Sequence, residues 1–271
     1  MILKTNNYIP PFFTEPQYDC ITEFRNNVKL DRSNLICIAA RPGMGKTSLA
    51  LHMALEFAKK SNKKVYIFSL ELTAEQIYSR MVSYLAEVDT YSIREHKCSK
   101  EQAEQIMDAV AKLKLLNIEI DDEATLTVKQ IEEHIHDVDD LGMIVVDYLQ
   151  LITADSKYQK REQELDEISR ALKALTQKLN VPIIVISTLW RGVERREEKR
   201  PGLYDLGKTG GFIEVAADTV IFPYREEYYD FSNSKDDYTE AEICIAKNRY
   251  DSTSTLKYKW QGRFLKFSEM D

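Results

Sequence analysis

The chain of 271 residues has few cysteines, and it has no apolar stretch near the roughly 20 residues that a helix needs to cross a bilayer. The cysteines, at positions 20, 37, 98 and 244, lie far apart without a C-x-x-C pair, which argues against a disulfide framework or a zinc site. Residues 1–10 contain one lysine and no apolar block, so we expect no signal peptide. These absences favour a cytoplasmic protein with reduced thiols and no membrane segment.

An excess of basic residues is also lacking. Lysine and arginine total 37 against 44 acidic residues, which gives a net charge of −7. This balance argues against a generally basic nucleic-acid coat but leaves room for a local basic groove. With 44% hydrophobic residues the chain can form a packed core, and its length suits one large α/β domain or two small ones.

Apolar runs and helical spacing alternate along the chain from residue 34 onward. The predicted strands are 35–39, 64–69, 118–120, 143–147, 181–187, 218–224, 241–246, 254–260 and 263–267. The predicted helices follow the first strand to about residue 60, start at 73, and span 100–115, 128–136 and 165–179. This order predicts an α/β fold, a mostly parallel twisted sheet flanked by helices with antiparallel edge strands at the C-terminus. Ligands of such sheets sit beyond the carboxyl ends of the strands.

Two segments lack a clear period. Residues 1–33 contain three early prolines and are interpreted as an arm or lead-in before a domain at 34–271. Residues 189–211 are polar, hold five of the nine glycines and are predicted to be a loop.

Residues 40–47 read ARPGMGKT and stand between a predicted strand and a predicted helix. This is the phosphate-loop arrangement, with an alanine where the usual pattern has its first glycine. Backbone N–H groups at residues 43–46 would form an anion nest at the helix N-terminus. Lys46 can reach the β- and γ-phosphates, and the Thr47 hydroxyl can hold Mg²⁺. The alternative is a chance glycine turn before a helix.

Two carboxylates follow predicted strands. Asp147 ends an apolar strand and is interpreted as the acid that acts on Mg²⁺ through water, or else as an ordinary aspartate that caps a turn. Glu71 follows the strand 64–69, which in the simplest topology lies beside the phosphate-loop strand. A carboxylate there could align and deprotonate the attacking water; the alternative is a solvated glutamate.

Six motifs occur in a fixed order: ARPGMGKT (40–47), FSLEL (68–72), VDYLQL (146–151), STLWRGVERR (187–196), YREEY (224–228) and AKNR (246–249). In these motifs the chain resembles, over roughly 34–267, the C-terminal RecA-like phosphate-loop motor domain of DnaB-type replicative helicases. The resemblance implies a homo-oligomer, expected to be a hexameric ring, that hydrolyses ATP with Mg²⁺ between subunits. It also implies movement along single-stranded DNA and contact with other replication proteins.

The resemblance assigns roles residue by residue. It implies that Glu71 is the catalytic base and that Lys247 and Arg249 enter the neighbouring subunit's site, with Arg249 as an arginine finger. Without the resemblance, these two would be a solvated charge pair on an edge strand. Nucleotide contacts are implied for Arg41, Pro42, Gly43, Met44, Gly45, Lys46, Thr47, Ser48, Arg80, Asp147, Thr188 and Arg225.

A basic segment follows the fourth motif. The resemblance implies that Arg191, Arg195, Arg196, Lys208 and Gly210 hold DNA phosphates in a central channel, which requires no side chain that reads bases. The alternative is a mobile, solvated loop of mixed charge.

The chain departs from the family pattern in several places. It has no counterpart of the N-terminal helical collar that meets primase, and Thr188 stands where the family has a glutamine thought to sense the γ-phosphate. Residues 205–218 are one residue longer than the pattern and lack its Arg-Glu pair. We expect ATP binding to survive these changes. They leave two alternatives to a processive motor: an ATP-gated regulator or loader of a phage, plasmid or replication system, and a kinase for a small metabolite.

Overall fold

The computed structural model describes Val28, Leu30 and residues 33–229 and 237–270, apart from the side chains of residues 208–210. The strands are β1 (Leu35–Ala40), β2 (Lys64–Ser69), β3 (Ile118–Asp121), β4 (Leu141–Asp147), β5 (Ile183–Thr188), β6 (Thr219–Tyr224), β7 (Thr239–Asn248), β8 (Ser254–Gln261) and β9 (Lys266–Glu269). The helices are α1 (Lys46–Ser61), α2 (Ala74–Ala86), α3 (Thr90–Arg94), α4 (Lys100–Lys114), α5 (Val128–Ile135), α6 (Arg161–Leu179), α7 (Leu203–Gly210) and α8 (Ile213–Ala216). The predicted arm at 1–33 falls almost entirely outside the described residues.

The strands form one sheet in the order β3-β2-β4-β5-β1-β6-β7-β8-β9. The pairs from β3 to β6 are parallel and those from β6 to β9 are antiparallel, which confirms the predicted α/β fold with an antiparallel C-terminal edge. The expectation that β2 lies beside β1 is wrong, because β4 and β5 separate them. Parallel strands are joined by long helical crossovers, which allow consecutive strands to occupy positions that are not adjacent.

The core lies on both faces of the sheet. Alternate residues of β1 belong to different clusters: Ile36 and Ile38 pack with α1, α2 and α4, whereas Leu35 and Cys37 pack with α5, α6, α7 and α8. Burial on both faces explains why β1 reads as an unbroken apolar run rather than an alternating one. Among the described residues, no helix combines the length and the apolar character needed to cross a membrane.

Residues 189–211 are not the loop that the sequence predicted. They contain a 3₁₀ turn at Arg191–Arg195 and helix α7, and α8 follows at once. Helix α7 forms because Leu206 is completely buried and because the Asp205 carboxylate accepts a hydrogen bond from the Gly202 N–H at 3.0 Å. The glycines of this segment hid that amphipathic helix from a prediction based on composition.

Candidate active site

The phosphate loop runs from the carboxyl end of β1 to the first turn of α1, and its glycines are required by shape. Gly43 and Gly45 have φ angles of 80° and 90°, in the left-handed region that disfavours side chains. A Cβ atom on Gly45 would lie 2.8 Å from the Phe267 ring, and one on Gly43 would lie 2.7 Å from the Tyr228 ring. The loop is therefore pressed against aromatic side chains that come from distant parts of the sequence.

Three polar side chains meet at the mouth of this loop. The Thr47 hydroxyl donates a hydrogen bond to Asp147 Oδ2 at 2.7 Å, and Lys46 Nζ donates to the Arg41 carbonyl oxygen at 3.4 Å. Burial raises the pKa of Asp147 and Glu71 adds to that rise, whereas the Thr47 hydrogen bond opposes it. Burial likewise lowers the pKa of Lys46, against the attraction of Asp147 and Glu71. Hydroxyl and carboxylate oxygens are the ligands that Mg²⁺ prefers, so Thr47 and Asp147 fit this metal.

These groups open into a cavity of about 380 Å³, a volume typical of small-molecule sites. It is lined by Pro42, Gly43, Gly45, Lys46, Thr47, Ser48, Glu71, Leu72, Arg80, Asp147, Tyr148, Thr188, Trp260 and Leu265. The structure therefore brings Glu71, Arg80 and Thr188 to the phosphate loop, as the sequence predicted. Trp260 and Leu265 were not assigned to the site, since they lie more than two hundred residues from the loop.

Glu71 reaches the cavity although its strand does not pair with β1. Ser69 aligns with Asp147 in the β2–β4 register, and the Leu70 N–H donates to the Asp147 carbonyl oxygen at 2.8 Å. Glu71 is the next residue, so it leaves the sheet beside Asp147. Arg80 on α2 lies near both carboxylates, which partly oppose the lowering of its pKa by burial. The carboxyl ends of neighbouring parallel strands thus collect the predicted hydrolytic groups at one edge of the sheet.

Gln150 links the ends of β4 and β5, a role that the sequence did not suggest. Its Nε2 donates to the Ser187 hydroxyl at 2.9 Å, and its Oε1 accepts from the Thr188 N–H at 3.3 Å. Its place in the VDYLQL motif was the signal, but only the β4–β5 pairing shows what it contacts.

Arg225 and Arg41, both expected to contact the nucleotide, have side chains that point to other partners. The Arg225 guanidinium stacks 4.8 Å from the centre of the Trp260 ring and lies 3.1 Å from Glu227, so Trp260 stands between it and the cavity. The Arg41 side chain donates to the Leu189 carbonyl oxygen and to Glu194, and it does not line the cavity.

Lys247 and Arg249 lie at the opposite edge of the sheet from the phosphate loop. Asn248 pairs with Thr219, and Thr219 pairs with Ile36 at the start of β1. The register therefore places the pair four residues, or roughly 13 Å, before the end of β1 and two strands away. An arginine side chain cannot span that distance to its own phosphate loop.

Each member of the pair is held at that edge. Lys247 Nζ donates to the carbonyl oxygens of Glu214 at 2.7 Å and Val215 at 3.0 Å. Arg249 pairs with the buried Asp218 at 3.0 Å, and Asp218 also accepts from Lys173 at 2.7 Å. Both cations are anchored on carbonyl and carboxylate oxygens yet remain at the surface, since the Arg249 side chain is 46% exposed.

The predicted DNA-binding residues separate into three groups. Arg191 and Arg195 are exposed on the 3₁₀ turn. Arg196 donates to Asp205 at 2.9 Å and to the Arg200 carbonyl oxygen at 3.2 Å, so it holds the segment together. The Lys208 side chain and Gly210 lie outside what the structure describes at side-chain level.

A glycine-shaped loop between a strand and a helix, with a lysine and a threonine–aspartate pair at the carboxyl edge of a parallel sheet, defines a phosphate-loop nucleotide-binding protein of the RecA-like class. The comparisons with known proteins narrow this class. The chain belongs to the family described as DnaB-like helicase C terminal domain, which matches residues 25–269.

Its relatives and structural neighbours are replicative helicases. The chain is 38% identical to replicative DNA helicase DnaB of Geobacillus stearothermophilus and 36% identical to replicative DNA helicase DnaC of Bacillus subtilis, each over 267 residues. Each match covers 97% of this chain and 57% of the relative, so the chain spans little more than half of their length.

Two solved structures have the same fold. One is an isolated ATPase domain, which superposes with a TM-score of 0.86 at 28% identity and covers 94% of this chain and 91% of that one. The other is a DnaB-like replicative helicase, studied with its interactions with primase, which gives a TM-score of 0.87 at 28% identity and covers 94% and 62%.

Proposed function

We propose that this chain hydrolyses ATP as part of an oligomeric motor that moves along single-stranded DNA during replication. One observation carries the proposal: the cavity gathers the groups for hydrolysis, whereas Lys247 and Arg249 lie at the opposite edge, where only a second copy of the chain could use them. A closed ring or an open helical oligomer would bring that edge to a neighbour's phosphate loop. The names of the relatives support replication as the setting.

The proposed reaction is attack of water on the γ-phosphorus in line with the leaving ADP oxygen. Glu71 aligns the water and accepts its proton as the new P–O bond forms and the bond to ADP breaks. Lys46 and the backbone amides of the loop hold the phosphates, while Thr47 and Asp147 would hold Mg²⁺. When bound, this ion neutralises charge on the β- and γ-phosphates. Arg249 of a neighbouring copy stabilises the charge that develops on the γ-group.

The partners and location remain part of the proposal. The assembly is expected to be a homo-oligomer, with six subunits as the family resemblance implies. Single-stranded DNA is expected to contact Arg191 and Arg195, whose exposed guanidinium groups suit backbone phosphates. Other replication proteins and a cytoplasmic location follow from the same relatives.

A second candidate is an ATP-gated regulator or loader that does not unwind DNA processively. It is favoured by Thr188, whose side chain is shorter than the family's glutamine and whose backbone N–H is held by Gln150 at 3.3 Å. The two candidates differ in their response to DNA, because a motor hydrolyses ATP faster when single-stranded DNA is bound. A metabolite kinase is disfavoured by the pair at Lys247 and Arg249, which a monomer would not need.

The test of the chemistry is Glu71→Gln, with Glu75→Gln as a matched control on the first turn of α2. We expect Glu71→Gln to bind ATP normally and to lose about 100-fold or more in turnover, because the amide cannot accept the proton. The control should keep both properties. ATP binding is measured by titration and turnover by phosphate release; unchanged turnover in Glu71→Gln would refute the assignment.

A further inference from the structure

We propose that Arg41 and Glu194 form a coupling contact between the phosphate loop and the segment expected to bind DNA. The inference rests on the proposed function and names two positioning residues for it. Neither side chain lines the cavity, and neither was expected to contact the other.

The contact is a shielded, two-point attachment. Arg41 Nη1 donates to the Leu189 carbonyl oxygen at 2.7 Å, and its Nε donates to Glu194 Oε1 at 2.9 Å. The Arg41 side chain is only 11% exposed, although it is one residue past the end of β1. Charge-assisted hydrogen bonds of this kind are stronger than neutral ones, and the planar guanidinium fixes the direction of both. One side chain of the phosphate loop therefore determines where two points of the 189–194 segment lie.

On the nucleotide side, Arg41 is linked to the group that would meet the phosphates. Its carbonyl oxygen accepts hydrogen bonds from Lys46 Nζ and from the Met44 N–H, each at 3.4 Å. These are long contacts that a triphosphate would compete with for the same ammonium and amide groups. A change in the position of Lys46 is thus felt by the backbone of Arg41.

On the other side, Glu194 lies between the two exposed arginines expected to hold DNA. Arg191, Glu194 and Arg195 share one 3₁₀ turn, and a rotation of that turn moves both guanidinium groups. The turn is short and is packed through the buried Val193, so it moves as a unit. The chain of contacts from phosphates to DNA then runs through Lys46, Arg41 and Glu194 and does not need a long side chain at Thr188.

The test compares Glu194→Ala with Glu197→Ala, a change at an exposed carboxylate three residues on. Both variants lose one negative charge near the expected DNA path, but only the first loses the contact with Arg41. We expect both to keep the basal ATPase rate. The stimulation of that rate by single-stranded DNA should fall about fivefold or more in Glu194→Ala and stay unchanged in Glu197→Ala.

Loss of attraction to DNA cannot explain that result, because removing a negative charge strengthens binding to phosphates in both variants. Binding must also show the effect, since coupling is reciprocal. The ratio of oligonucleotide affinities with and without a non-hydrolysable ATP analogue should fall in Glu194→Ala by a similar factor. Glu194→Gln keeps an acceptor without the charge and should lie between the two; it replaces the alanine variant if that variant unfolds.

Equal stimulation and equal affinity ratios in Glu194→Ala and Glu197→Ala would overturn the coupling contact. Failure of single-stranded DNA to stimulate the unchanged chain would instead contradict the proposed motor, and the coupling with it. The two failures are therefore distinguishable in one experiment.

Discussion

A mixture of two inactive variants should regain activity if the site is completed by a neighbour. Lys46→Ala destroys the phosphate site but keeps the outward-facing edge with Arg249, while Arg249→Ala keeps the phosphate site and loses that edge. Alone, Arg249→Ala should fall about 1000-fold or more in turnover, the loss typical of a missing arginine finger. It should bind ATP almost normally, because its contacts are made at the opposite edge of the sheet.

The size of the recovery follows from the geometry. An interface is competent when a subunit with an intact phosphate loop faces a subunit with an intact Arg249. In a random equal mixture, half of the subunits supply the loop and half of their neighbours supply the arginine. About a quarter of the interfaces should therefore work, so turnover per subunit should approach about a quarter of the unchanged chain's value.

The assay is phosphate release at fixed total protein, with the fraction of each variant varied and subunits allowed to exchange. The rate should rise from both ends to a maximum at equal amounts. The matched control is Arg263→Ala, an exposed arginine near Asp89, which should be active alone. A mixture no more active than the sum of its separate variants would refute the reasoning, because it would mean that Arg249 does not serve another chain's site.

Two further predictions concern the loop and its support. Gly45→Ala should lose at least about 1 kcal/mol of unfolding free energy and weaken ATP binding, because its φ of 90° is left-handed and the new Cβ would lie 2.8 Å from Phe267; urea unfolding measures this, with Gly202→Ala, whose Cβ meets nothing within 4 Å, as the control. Burial lowers the pKa of His52, which contacts Tyr84, to about 3, so the unfolded chain binds more protons than the folded one between that value and 6.5. Stability should therefore fall as pH decreases through that window, and His52→Gln should remove about 2 kcal/mol of the difference between pH 7 and pH 5; an unchanged pH dependence would contradict this.

The sequence predicted the strands and the phosphate loop well because both depend on local patterns. Unbroken apolar runs placed β1, β2, β4 and β5 to within about two residues at each end, and the ARPGMGKT motif located Lys46 and Thr47. It also predicted that Glu71 and Asp147 would meet, but for a wrong reason, since β2 pairs with β4 and not with β1. The prediction succeeded because every parallel strand of the sheet ends at the same edge.

What the sequence could not supply was direction and long-range contact. Arg41 stands inside the motif, yet its side chain turns toward Leu189 and Glu194, which only the folded chain brings near. Helix α7 was missed because its glycines disfavour a helix in isolation, whereas burial of Leu206 stabilises it in the fold.

The aromatic support of the phosphate loop also bears on how the site is assembled. Gly45 fits against Phe267 and Trp260, which belong to the last two strands and are synthesised more than two hundred residues later. A growing chain that has already displayed the whole ARPGMGKT motif still lacks the wall that shapes it. Nascent chains on the ribosome should thus be unable to capture nucleotide until β8 and β9 have emerged and joined the sheet.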